Sequence, residues 1–186
     1  MEEKVSQKIK LDKRLTKAAE LSVSGDNKGA IALLERYLAE NPDDELAKIE
    51  RIKNYVAIGK IPQDADTVLA SIIGLPEHGS EAVGLYLKAC EIEPSFCLTS
   101  HAMFRVFRAL DRNRDYSRAK KVFETLRVGF PKDSRMPATY LSMARLSQKS
   151  GDIAYAREIL NEMLTSFPND PLIELAKEAL EVLQSA

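Results

Sequence analysis

Apolar residues recur every three or four positions along most of the chain, and short clusters of Gly, Pro, Asn and Asp interrupt them. This spacing is typical of amphipathic α-helices, which Gly and X-Pro steps end. The pattern predicts about ten helices joined by short connections, so that successive helices run antiparallel. The predicted spans are about 9–24, 28–40, 43–59, 64–73, 80–94, 98–111, 115–129, 137–149, 153–167 and 171–183, with Asp43 or Asp44 and Ser80 as N-caps.

The helix-ending residues recur at a nearly fixed period. The 34-residue spacing joins two pairs, Pro42 with Pro76 and Gly25 with Gly59. The later interval, from Pro131 to Pro168, is 37 residues, and we place its extra length at residues 134–136. A fixed period of this size indicates an array of structural repeats.

The units also share an order of residue types: a turn residue, a small Ala, a large apolar residue four positions later, another apolar residue and a closing Pro. The three sets are Gly25, Ala30, Leu34, Tyr37 and Pro42; Arg114, Ala119, Phe123, Leu126 and Pro131, with Arg in place of Gly; and Gly151, Ala156, Leu160, Met163 and Pro168. A fourth stretch, Ala82, Tyr86, Ala89 and Pro94, matches the second half of the unit.

The stretches GDNKGAIALLERYLAENPDD and GDIAYAREILNEMLTSFPNDP resemble the second helix and exit turn of the tetratricopeptide repeat (TPR). The resemblance covers roughly residues 10–170. It implies an all-α fold in which antiparallel helix pairs stack as a right-handed α-α superhelix, a TPR-like solenoid. We expect one such domain over residues 1–186, closed by a capping helix at 170–186. The solvent-exposed face of that helix is expected to carry Glu174, Lys177, Glu178 and Glu181.

The chain departs from the family pattern in two places. Its first helices lack the large aromatic followed by Leu-Gly, and the nearest version is Tyr140 with Met143 and Ala144. Residues 60–80 form no clean unit because Asp64 stands where the small Ala belongs. The middle of the chain is therefore either an irregular helix pair or a break between two sub-arrays. A non-repeat helical bundle would use Ala, Leu and Pro in similar roles.

Composition excludes several classes of protein. A hydrophobic share of 45%, a charged share of 30% and a net charge of −1 exclude a disordered chain and a globally basic nucleic-acid binder. We find no secretory signal and no apolar run long enough to cross a membrane. Cys90 and Cys97 are seven residues apart. We interpret them as two reduced thiols in a cytoplasmic protein, with a disulfide as the alternative. A domain cut from a larger membrane protein would give the same pattern.

Residues able to carry chemistry are sparse. His78 lies in a predicted loop and His101 near a predicted helix start, and no HExxH, CxxC or phosphate-cradling Gly motif occurs. Cys97 and His101 are four apart, but a catalytic Cys–His pair needs a third, orienting group. We therefore predict no metal, no cofactor and no enzymatic activity.

Charge is distributed unevenly. Residues 99–135 hold ten basic and four acidic residues, a net of +6, whereas residues 61–98 and 150–186 each carry −5. Such a run is either a solvated face or a binding surface. Arg105, Arg108 and Arg112 lie on adjacent turns of one predicted helix.

In TPR proteins the first helices line the groove, so the resemblance implies a basic groove in which Arg108 and Arg145 occupy one repeat position and Arg112 and Lys149 another. Arg suits carboxylates because its guanidinium is a planar fork. The predicted partner-binding residues are His101, Phe104, Arg105, Arg108, Arg112, Arg145 and Lys149.

The leading hypothesis is an adaptor or scaffold that binds an acidic or C-terminal segment of another protein. One alternative is single-stranded RNA binding, since RAKKVFETLRVGFPKDS also resembles pentatricopeptide units, although no base-reading pair recurs. Another is self-assembly, with acidic segments of one copy pairing with the basic segment of the next. The chaperone-tail clamp of some TPR proteins is not expected, because Leu15, Ala19 and Glu50 replace its Lys and Asn residues.

Overall fold

A computed structural model describes residues 12–185. Those residues form ten α-helices and contain no β-strand, which confirms the all-helical prediction. The chain divides into two compact units, residues 1–97 and 98–186. The expectation of a single domain over residues 1–186 therefore stays a prediction.

The first unit holds five helices, and its two ends differ in regularity. They are α1 (Lys13–Ser24), α2 (Asn27–Glu40), α3 (Glu45–Ala57), α4 (Ala65–Ile72) and α5 (Gly79–Ile92). Helices α1, α2 and α3 pack one on the next, whereas α3 contacts both α4 and α5. Helix α4 has only 8 residues. The region predicted to be irregular is therefore a short helix that packs with α3 and α5 in a three-helix cluster.

The second unit is a regular succession of five helices. They are α6 (Ser100–Arg112), α7 (Tyr116–Gly129), α8 (Met136–Ser150), α9 (Ile153–Ser166) and α10 (Ile173–Ser185). Each helix packs on the next, and α6 also contacts α8. Helices α6 and α8 are therefore neighbours as well as the first members of successive pairs.

Most predicted helix ends agree with the structure to within about two residues, but the predicted N-cap of α5 is wrong. The predicted cap Ser80 lies inside α5, whose N-cap position is His78 without a side-chain cap bond. Asp44 caps α3 as one of the two predicted candidates, accepting from the amide of Ala47 at 2.9 Å. Ile9 and Leu11, which were expected in α1, lie outside the described residues.

The small Ala of the repeat unit is fully buried in three units. Ala30, Ala119 and Ala156 are all 0% exposed. The large residues four positions later are buried beside them, with Leu34 at 2% exposure and Phe123 and Leu160 at 0%. The repeat spacing read from the sequence therefore marks positions that are buried in the structure.

The turn within each helix pair also repeats. Its first residue adopts a left-handed backbone at Gly25 (φ 85°), Arg114 (φ 56°) and Gly151 (φ 88°). The Asp that follows caps the next helix by accepting a backbone N–H bond, in the three cases Asp26, Asp115 and Asp152. Arg114 thus performs the glycine role that its place in the repeat predicted, at the steric cost of a Cβ.

A set of polar contacts joins α7 to α9. The Lys120 ammonium donates to Asp152 at 3.1 Å and lies 3.6 Å from the centroid of the Tyr155 ring. About two turns further along α7, Arg127 donates to Glu162 at 2.6 Å. These contacts fix the two second helices of the unit against each other.

We predict that Arg114→Gly stabilises the protein. Relief of the left-handed backbone contributes about 1 kcal/mol, and the greater freedom of Gly in the unfolded chain offsets part of it, leaving about 0.5 kcal/mol. Urea unfolding followed by circular dichroism should show a higher midpoint. The matched control, Gly151→Ala, places a Cβ at the equivalent turn and should lower it. A lower midpoint for Arg114→Gly would contradict this account.

We also predict that Ala156→Leu lowers the free energy of unfolding by about 1–3 kcal/mol, because a larger side chain separates two helices in van der Waals contact. Ala154→Leu is the control, since Ala154 is exposed on the same helix. Thermal unfolding of both variants tests this, and equal melting temperatures would show that the Ala contact does not set the helix separation.

Candidate functional site

One face of α6 carries a row of cations, which we call the α6 arginine row: Arg105, Arg108 and Arg112. All three side chains are exposed, while the opposite face of α6 buries Val106 and Phe107. Within residues 12–185 none of the three has an acidic partner. The row therefore presents guanidinium groups whose hydrogen-bonding capacity is left to solvent or to a ligand.

The neighbouring helix α8 adds the two other predicted cations, in different states. Arg145 donates to Asp111 of α6 at 3.0 Å, and Asp111 has a side-chain exposure of only 17%. Lys149 is exposed and has no ion pair among the described residues. Arg145 therefore links α8 to α6. The residue that it contacts, Asp111, lies one turn beyond Arg108, which occupies the repeat position equivalent to that of Arg145.

Phe104 does not offer an aromatic surface. Its side chain is 4% exposed, and the Arg135 guanidinium lies 4.2 Å from the ring centroid. His101 is exposed, with Nδ1 3.2 Å from the guanidinium of Arg135. Because a guanidinium only donates, Nδ1 accepts, which puts the ring proton on Nε2. Of these two predicted contacts, His101 is the one that lies at the surface.

Arg135 is a functional candidate that the sequence analysis missed. It donates to both oxygens of Asp133, at 2.8 and 2.5 Å, and to the Ser100 hydroxyl at 3.0 Å. These bonds tie the loop before α8 to the first turn of α6. The Arg135 guanidinium lowers the pKa of the Asp133 carboxyl to about 2. The Asp-x-Arg spacing is the signal in the sequence, but the repeat pattern accounts for this segment only as extra length.

A groove of about 390 Å³ lies between α8 and α10 and is mostly apolar. Leu160 of α9 and Leu183 form its base, and Leu141 and Ala144 line the α8 side. We refer to it as the α8–α10 groove. Since α10 packs on α9, the flank of α8 is left open here.

The sequence predicted α10 as a capping helix with a polar exposed face. The structure confirms that the charged residues are exposed but also exposes apolar residues of this helix. Glu174, Lys177, Glu178 and Glu181 are exposed, as expected. The opposite rim of the helix, however, exposes Leu175 at 52% and Val182 at 59% beside the groove. These two residues are seven positions apart and therefore share a face, so α10 carries an apolar stripe that the charge pattern did not reveal.

The remaining candidates lie in the first unit. The Cys90 thiol lies 3.5 Å from the carbonyl oxygen of Phe96, and burial raises the pKa of that thiol. No disulfide joins Cys90 to Cys97. Glu50, at a clamp position, pairs with Lys53 at 3.1 Å.

Residues 12–185 contain no group of three His, Cys, Asp or Glu side chains arranged to hold a metal ion. Over the same residues, every helix is too short or too polar to cross a bilayer.

We predict that nuclear magnetic resonance titration will place the pKa of the Asp133 carboxyl at about 2. In Arg135→Gln the pKa should return toward the ordinary value near 4. Because the folded-state pKa is depressed, the associated stability is present above about pH 4 and is lost as the pH falls through about 2. Asp66, an exposed Asp, is the reference carboxyl. An unchanged Asp133 pKa in the variant would show that Arg135 is not its cause.

Comparison with known proteins gives little at the level of sequence. No protein-family model matches the chain, and no curated protein matches it. Among solved structures, the chain is similar to a thermophilic TPR protein of Thermus thermophilus, with 16% sequence identity and a TM-score of 0.39. That similarity covers 90% of this chain and 97% of the Thermus chain.

Proposed function

We propose that the chain is a non-enzymatic protein-interaction module, an adaptor or scaffold that binds an acidic segment of another protein. The observation that carries the proposal is the α6 arginine row. Its three guanidiniums are exposed on one helix face and lack acidic partners within residues 12–185. The stacked helix pairs beneath it supply a rigid base, since α6 packs on both α7 and α8.

The spacing of the row selects the form of the ligand. Arg108 and Arg112 are separated by about 6 Å along the helix axis. Alternate side chains of an extended peptide are about 6.6 Å apart. An extended segment with acidic residues at alternate positions therefore matches the row, and each guanidinium can hold one carboxylate through two parallel hydrogen bonds. A C-terminal carboxylate fits the same site.

Neighbouring groups extend the surface on the α8 side. Arg145, fixed by Asp111, offers its remaining donors in a set orientation, and Lys149 adds a mobile charge one turn further. His101 lies toward the start of α6 and adds a polar contact. We expect this interaction in a cytoplasmic, reducing setting, which suits the two thiols.

The burial of Phe104 favours a protein ligand over RNA. Single-stranded RNA binding without sequence readout relies on bases stacking on accessible aromatic rings. The aromatic ring of this surface is 4% exposed and covered by Arg135. The α6 arginine row can therefore hold anionic groups but presents no ring from Phe104 for a base.

The test measures binding of a fluorescent peptide with Glu at alternate positions by anisotropy, beside the same peptide with Gln. We expect binding of the Glu peptide only, weakening as salt rises. The double variant Arg105→Glu, Arg108→Glu should reduce the affinity for the Glu peptide by about tenfold or more. The substitutions reverse the charge of two side chains and remove their hydrogen-bond donors. The matched control is Lys121→Glu with Lys132→Glu, which makes the same charge change at exposed positions of the same unit.

Equal loss of affinity in both double variants would show that the loss comes from the change in net charge and not from Arg105 and Arg108. That result would contradict the proposal. Arg145→Glu is unsuitable as a first variant because it would face Asp111 and disturb the contact between α6 and α8. Capture from the source lysate, with the wild type beside the Arg105→Glu, Arg108→Glu variant, would then identify the natural partner. Retention of RNA instead of protein would favour the RNA-binding alternative.

A further inference from the structure

The α8–α10 groove is a second surface, distinct from the α6 arginine row. Its apolar stripe consists of Leu175, Ala179 and Val182, which follow one another along the groove side of α10. Leu175 and Val182 are 52% and 59% exposed. Apolar side chains with this exposure, aligned beside an apolar groove, mark an interaction surface.

The two rims of this groove carry opposite charge. Helix α8 contains no Asp or Glu and contributes Arg145 and Lys149, whereas α10 contributes three Glu and one Lys. Arg145 and Glu178 face the groove from opposite sides. No ion pair joins these two side chains in the described part of the chain, so Glu178 and the donors that Arg145 does not give to Asp111 are available to an occupant of opposite charge.

We propose that the occupant is a second copy of this chain, and that α10 and the groove form a two-fold symmetric homodimer interface. In such a dimer, each surface patch contacts the same patch of the other copy. An antiparallel pairing of the two α10 helices places Leu175 beside Val182 of the partner copy. Ala179 then lies near the two-fold axis, where its small side chain allows the helices to approach closely.

Charge complementarity selects this occupant. The two-fold operation brings the acidic rim of each α10 toward the basic rim of the other copy's α8. Glu178 then faces Arg145 of the partner copy, and the symmetric contact repeats the pair. An acidic partner helix would satisfy only the α8 rim, whereas a second copy satisfies both rims at once.

The size of the surface sets the expected strength. A 13-residue helix is about 20 Å long, so the interface lies at the small end of specific protein interfaces. We therefore expect a reversible dimer with micromolar affinity that weakens as salt rises. The interface shares Arg145 with the surface beside the α6 arginine row but does not require Arg105 or Arg108. Variants of those two residues therefore test the peptide site without altering the proposed dimer interface.

The first experiment is sedimentation equilibrium over a wide range of protein concentrations. The wild type should convert from monomer to dimer, and Leu175→Asp should weaken the association about tenfold or more. Leu46→Asp is the matched control, because Leu46 is also 52% exposed but lies in the first unit. Both positions are already exposed, and circular dichroism will confirm that the variants are folded. A monomer at every concentration, or equal effects of the two substitutions, would overturn the proposal.

A charge reversal tests the pairing itself. Glu178→Arg should weaken the homodimer about tenfold or more, because its side chain then faces Arg145 of the partner copy at both symmetric contacts. Glu174→Arg is the matched control, since it makes the same charge change on α10 but lies outside the groove lining. Sedimentation velocity compares the association of the two variants, and equal effects would overturn the proposed geometry.

Discussion

The close approach of helices at buried alanines is the constraint on which the rest of this structure depends. Ala30, Ala119 and Ala156 have no exposed surface and occupy the same place in three of the units. A small side chain there lets two backbones pack closely, and the large residue four positions later fills the space beside them. Because the helices pack along one side, their opposite faces do not have to pack against another helix. The cations of α6 occupy such a face.

The turns translate that contact into a fixed orientation. A left-handed residue ends the first helix of a pair, and an Asp begins the second by capping its free amides. Because Arg114 keeps this conformation without being Gly, the geometry of the turn is imposed by the packed pair rather than by local preference. The same imposed geometry fixes where the C-terminal end of α6 lies, and with it the position of Arg112.

The parts of the structure that the sequence predicted are those that depend on spacing alone. Helix spans follow from apolar periodicity, and the buried alanines follow from their recurrence before the closing Pro. Contacts between distant side chains do not follow from spacing. Burial of Phe104 depends on Arg135, which comes from the loop before another helix, and a helical projection of α6 could not show it. The exposure of Leu175 depends on where α10 settles against α9, which a polar capping pattern does not specify.

Charge is used in two different ways within the second unit. Between α7 and α9, Lys120 and Arg127 are matched with acids, so that their charges stabilise the packed helices. Along α6, by contrast, Arg105 and Arg108 lie on adjacent turns, and no acid among the described residues pairs with either of them. Like charges on adjacent helical turns repel, and the fold bears this cost without gaining packing from their head groups. A ligand that brings carboxylates removes the repulsion and forms new hydrogen bonds in the same step. The unmatched row therefore gains more from an anionic partner than the matched pairs between α7 and α9 do, which is why the binding proposal rests on α6 and not on the more highly charged α7.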